Sequence, residues 1–123
     1  LRILLNYQHQ HRFLLTLLLF GQPELRDMIN NSKQFSQRVA IRHHLVGLEK
    51  EEIRRYIQHR LKIAGSAEQI FADDTYDYIF AQTGGIPRRI NQLCDLALFT
   101  GYCEGAKKID RTIIETVAKD IGA

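Results

Sequence analysis

Apolar spacing changes character near residue 47 of this chain. In the first stretch, apolar residues at 1, 4 and 5 fit the end of an amphipathic helix over Leu1 to Gln8. Arg12 to Phe20 is a near-continuous apolar run between a polar patch and a Gly-x-Pro turn. Such a run suits a strand covered on both faces in a parallel sheet, although periodicity alone leaves a buried helix open. Pro23 favours a first helical turn and Glu24 lies near its positive end, so a helix is expected over Pro23 to Asn30. Asn30-Asn31-Ser32 stops and restarts the chain. A short helix over Lys33 to Ala40 and a second strand over Ile41 to Val46 should follow.

Beyond Gly47 the spacing becomes helical throughout. Ile53, Tyr56, Ile57, Leu61 and Ala64 repeat at three and four residues within a helix over Glu49 to Ala64, which Gly65 ends. Asp73 is a suitable N-cap for a helix carrying Tyr76, Ile79 and Phe80, which stops at Gly84-Gly85. Pro87 opens a third helix with Ile90, Leu93, Cys94, Ala97 and Leu98 on one stripe. Asp110 caps a fourth, bearing Ile113, Ile114, Val117 and Ile121. The expected fold is mostly α: residues 1–47 with two strands, then a four-helix bundle over 48–123.

Composition narrows the class only a little. The 123 residues are 45% hydrophobic and 25% charged, ordinary values for a soluble globular domain. A net charge of +3 permits contact with nucleotide or nucleic acid without demanding it. Cys94 and Cys103 lie nine apart in an apolar helical stretch, which suits reduced thiols and a cytoplasmic setting. The run Phe13 to Phe20 falls well short of the roughly 20 residues that span a bilayer, and no signal-peptide cleavage pattern follows it. The chain begins on Leu1 within a helix-like pattern, as a piece of a longer protein would.

Candidate chemistry concentrates in Gly84-Gly85-Ile86-Pro87-Arg88-Arg89-Ile90-Asn91. With Pro87 at the first helical position, Arg88 and Arg89 fall in the first turn, where a cation opposes the helix dipole at a cost of about 0.3–1 kcal/mol. A nearby phosphate would reverse that cost, because free N–H groups and a bidentate guanidinium then act together. The same arginines could instead pair with Asp74 or Asp77. Gln22, directly after the apolar run, could face a ligand at a strand's carboxyl end or merely solvate its own turn. Arg38, with Arg42 four residues on, could complement a helix end or reach a neighbouring subunit's nucleotide. His9, His11, His43 and His44 show no metal-binding spacing, and the chain has no GxxxxGK[ST], GxGxxG or GxSxG motif.

Four strings together resemble one family. They are Phe20-Gly21-Gln22-Pro23-Glu24-Leu25-Arg26, Phe35-Ser36-Gln37-Arg38-Val39, Ile57-Gln58-His59-Arg60-Leu61, and Gly84-Gly85-Ile86-Pro87-Arg88-Arg89-Ile90-Asn91-Gln92-Leu93-Cys94-Asp95. In that order they are similar to AAA+ ATPases of the general secretion pathway protein A (ExeA-like) group, across nearly the whole chain. The resemblance implies that Gln22 occupies the sensor-1 position, that Arg38 acts in trans as an arginine finger, and that Arg88 is the sensor-2 arginine, with Arg89 the alternative holder. Residues from about 48 onward would be the helical lid.

By the same resemblance, ATP and Mg²⁺ serve the full-length parent, with neither expected on this stretch, because the Walker A and Walker B residues would lie before Leu1. The implied partners are an N-terminal ATPase core, further copies in a ring, and secretion or membrane assembly components, and attachment of the parent to the inner membrane is compatible with the same resemblance. ATP-driven remodelling is the leading expectation, and a freestanding nucleic-acid-binding helical module is the competing one. The two strands would lack ladder partners in this chain, so the lid should be the better-ordered half.

Overall fold

The computed structural model describes residues 3, 8–10, 12–66 and 68–122. It divides into two compact units, Leu1–His44 and Leu45–Ala123.

The first unit opens with an antiparallel hairpin of β1 (Gln8–His9) and β2 (Arg12–Phe13), with Gln8 opposite Phe13 and His9 opposite Arg12. Gln8 therefore lies in a strand and not at a helix end. Apart from Ile3, the rest of the helix expected over Leu1 to Gln8 lies outside the described residues. The strand expected over Arg12 to Phe20 is realised only at Arg12–Phe13, and residues 14–20 and 41–46 lie outside any regular element. A strand forms only where a second backbone completes its ladder. Neither run has such a partner among the described residues. Their side chains are correspondingly open, Phe20 at 83% and Ile41 at 86% exposure.

Between those runs the turn signals act as expected. Pro23 starts α1 (Pro23–Asn31), and Ser32 separates it from α2 (Lys33–Ser36). The second helix is one turn long and does not reach Ala40, because Arg38 N–H bonds back to the Phe35 carbonyl at 3.0 Å and closes the turn. The two helices pack on each other, with Leu25, Ile29, Phe35 and Val39 half-buried. Arg42 fastens the following segment to them. Its Nη1 donates to Asn30 Oδ1 at 3.1 Å, and its Nη2 donates to the Ser36 carbonyl at 3.2 Å and to Ser36 Oγ.

The second unit is a four-helix bundle: α3 (Lys50–Ile63), α4 (Thr75–Thr83), α5 (Pro87–Cys103) and α6 (Arg111–Asp120). α5 packs on α4 and α6, and α4 also touches α3 and α6. Ile53, Phe71, Ile79, Ile90 and Ile114 are wholly buried, each contributing about 1.5–3 kcal/mol relative to exposure. The stripes predicted on each helix supply this core, except that Ala64 and Phe80 are exposed, and Phe71 and Ile109 are added from loops. Those loops are joined by a parallel bridge, in which Ala72 N–H donates to the Ile109 carbonyl at 2.9 Å and Ile109 N–H donates to that of Ile70 at 2.8 Å.

Capping follows the sequence with one change. Asp110 accepts the Ile113 N–H at 3.0 Å, and Glu52 accepts that of Glu49 at 2.9 Å. The N-cap of α4 is Asp74, not Asp73. The Asp73 carboxylate is occupied by the Arg54 guanidinium and by Gln69 Nε2, the latter at 2.7 Å.

Candidate functional site

The start of α5 is fixed by the turn before it. Thr83 is buried, and its Oγ1 donates to the Ile79 carbonyl at 2.6 Å while accepting the Gly85 N–H at 3.4 Å. Gly84 and Gly85 both adopt left-handed backbone, at φ 60° and 73°, where a side chain is disfavoured. Ile86 N–H returns to the Thr83 carbonyl at 3.2 Å, and Ile86 itself is extended as the N-cap. Pro87 then holds the first helical position. The Arg88 and Arg89 N–H groups consequently have no backbone acceptor among the described residues.

The two guanidiniums sit beside those N–H groups. Arg88 and Arg89 are exposed, and neither makes an ion pair or side-chain hydrogen bond among the described residues. The acidic partners that the sequence offered are otherwise placed. Asp77 holds Lys50 Nζ at 2.9 Å, a hydrogen bond that raises the lysine pKa, and Asp74 is the N-cap residue of α4, although its side chain makes no cap hydrogen bond. Arg89 also borders a small cleft of about 30 Å³ with Gln82, Gln92 and Ile121. The arrangement therefore combines two unpaired cations, two unbonded N–H groups and the positive end of a long helix, a combination suited to an anion.

Gln22 and Arg38 belong to the first unit, whereas Arg88 and Arg89 belong to the second. Gln22 is the N-cap of α1, and its carbonyl accepts the Leu25 N–H at 2.9 Å. Its exposed side chain does not cap the helix. Arg38 is exposed in the turn after α2.

Two features escaped the sequence reading. Asn91 ties α5 to α3, accepting the Tyr56 hydroxyl on its Oδ1 at 3.0 Å. Beside that bond lies a cleft of about 130 Å³ whose lining includes Ile57, Leu61, Leu98, Arg60 and Asp95. The Tyr56–Asn91 pair spans 35 residues, so no local spacing could have announced it. Both cysteines are free, Cys94 buried and Cys103 exposed. Burial, with Asp95 adding, pushes the Cys94 thiol up to about 12, so it stays protonated and unreactive near neutrality. Among the described residues, no group of His, Cys, Asp and Glu could hold a metal ion, and no helix is long and apolar enough to cross a membrane.

Compared with known proteins, the chain is similar to "General secretion pathway protein A" of Aeromonas hydrophila, with 35% identity over 123 residues. The match covers 98% of this chain but 22% of that protein's length. The resemblance carried by the four strings thus extends over the chain as a whole. No family model and no solved structure matches it.

Proposed function

We propose that this chain is the sensing and lid portion of an AAA+ ATPase, in which Arg88 reads nucleotide phosphate and couples ATP turnover to assembly of a secretion-type complex. The observation that carries the reading is the pair of exposed, unpaired arginines in the first turn of α5, beside N–H groups that lack acceptors. Such a turn costs stability unless an anion occupies it. Similarity to a general secretion pathway protein supplies the process. Gln22 serves as sensor 1, Arg38 as an arginine finger toward the next copy in a ring, and Arg89 as an auxiliary phosphate contact, on the cytoplasmic side. ATP and Mg²⁺ are held chiefly by a Walker-type core joined to this chain, and the chain by itself hydrolyses nothing.

The decisive measurement is ATP turnover when the chain completes a core carrying a GxxxxGK[ST] loop. Arg88→Ala and Arg38→Ala should each lower kcat by about 10²-fold or more, as loss of a charge-stabilising donor does. Unchanged turnover in Arg88→Ala would refute the sensor-2 role.

The nucleic-acid reading draws less support. Residues 45–123, which hold Arg88 and Arg89, carry eleven Lys and Arg against twelve Asp and Glu, while the positive surplus lies in residues 1–44. A bundle without net positive charge is a poor electrostatic footprint for a phosphate backbone.

A further inference from the structure

The backbone that leads into the bundle lies directly against the turn that sets Arg88. Leu48 N–H donates to the Gly85 carbonyl at 2.8 Å, although Leu48 belongs to no helix or strand. The approach is too close for side chains on either side. A Cβ on Gly85 would stand 2.0 Å from the Leu48 oxygen and 2.7 Å from its nitrogen. A Cβ on Gly47 would stand 2.3 Å from the Gly84 oxygen. Gly84 differs from both: its φ is +60°, but a Cβ there would meet nothing within 4 Å. Gly84 thus meets only a conformational demand, Gly47 only a demand for space, and Gly85 both.

The contact joins the start of the second unit to the turn that precedes Arg88. Leu45 is the first residue of the second unit, so residues 45–48 are the path by which the chain leaves the first. Gly85 lies three residues before Arg88, within the turn braced by Thr83. A displacement of residues 45–48 cannot leave the α5 N-terminus unmoved while the Leu48–Gly85 bond and the glycine contacts persist.

We propose that Gly47, Leu48 and Gly85 form a backbone latch that positions Arg88 for phosphate. Through it, phosphate contact at α5 and the path of the chain from the first unit are coupled. The latch rests on the phosphate-reading role proposed above. Gly47 and Gly85 act through Arg88, and neither need touch the ligand.

Residue-resolved amide exchange on the 123-residue chain, paired with an ATP titration of the chain completed by a core carrying a GxxxxGK[ST] loop and followed at the Arg88 and Arg89 amides, tests both levels. In wild type, Leu48 N–H should be protected with the bundle, although it lies outside every helix. Gly47→Ala should speed its exchange by about tenfold or more while Ile114 and Val117 change little, a local opening and not global unfolding. Gly84→Asn should leave Leu48 protected, since Asn tolerates left-handed backbone. Gly85→Ala should act as Gly47→Ala does, and if it unfolds, Gly47→Ala still decides. Leu48 exchanging as fast as Val46 in wild type would overturn the latch.

In the titration, Gly47→Ala should weaken ATP binding several-fold with Arg88 intact, and Arg88→Ala should weaken it whatever the state of the latch. Loss of ATP binding in Arg88→Ala with undiminished binding in Gly47→Ala would overturn the coupling and keep the phosphate role. Binding indifferent to Arg88→Ala would overturn the phosphate role, with Leu48 exchange then deciding the latch alone.

Discussion

The two units respond differently to the same supply of apolar residues. Residues 1–44 include the densest apolar run in the chain, yet none of their described side chains is buried. Residues 45–123 hold every buried apolar side chain among the described residues, including Ile53, Ile79, Ile90 and Ile114. The difference lies in who completes the backbone. A helix satisfies its own N–H and C=O groups and needs only one apolar stripe covered, so four helices can bury one another. A strand leaves both edges unsatisfied until another strand arrives, and apolar side chains on it gain nothing until a face is covered. Hydrophobicity alone did not decide where the core would be.

The largest effect expected from this contrast is in amide exchange. Amides within 86–100 should approach the global stability of the bundle, about 5–15 kcal/mol for a domain, whereas those in 14–20 should open nearly without cost. Stronger protection in 10–46 than in 86–100 would break the comparison. Truncation should divide the units in the same way. Ile114→Ala removes a wholly buried side chain and should cost the bundle about 2–5 kcal/mol in denaturant unfolding. Leu18→Ala, at a position 72% exposed, should stay within about 0.5 kcal/mol. An equal loss for both would mean that the apolar run is covered by a partner, such as a second copy of the chain.

The bundle was legible in the sequence because its signals are local. Asp110, Pro87 and Gly84 each act within one turn of their own position, and each stands where the spacing put it. The Asp73 cap failed for a non-local reason: Arg54, 19 residues away, occupies its carboxylate. The strands failed for the same kind of reason, since a ladder partner is never encoded in the run that needs it. At the candidate site, Arg88 and Arg89 were found from the proline before them, whereas the role of Gly47 depends on a turn nearly forty residues on. Arg42, noted in the sequence only for its distance from Arg38, holds α1 and α2 to the segment that follows them.

Within α5 the contrast between covered and open recurs at a single residue type, and this gives the smallest and most local test. Cys94 and Cys103 share one helix, one buried and the other exposed. An uncharged alkylating reagent near pH 7 should modify Cys103 in the native chain and leave Cys94 unmodified until the bundle unfolds, because the thiolate is the nucleophile. The thiol also links folding to alkaline pH. Its pKa is raised from 9.0 to about 12, chiefly by burial, so the folded state favours the protonated form. Stability from this group is full below pH 9 and declines as pH rises from 9 toward 12, where the unfolded chain alone releases the proton freely. Cys94→Ala should be less stable near neutrality, yet lose less on going from pH 9 to 11 than wild type does, with Cys103 common to both. Parallel pH profiles for the two proteins would mean that the bundle admits water to Cys94, and that the core beside the α3–α5 cleft is not closed.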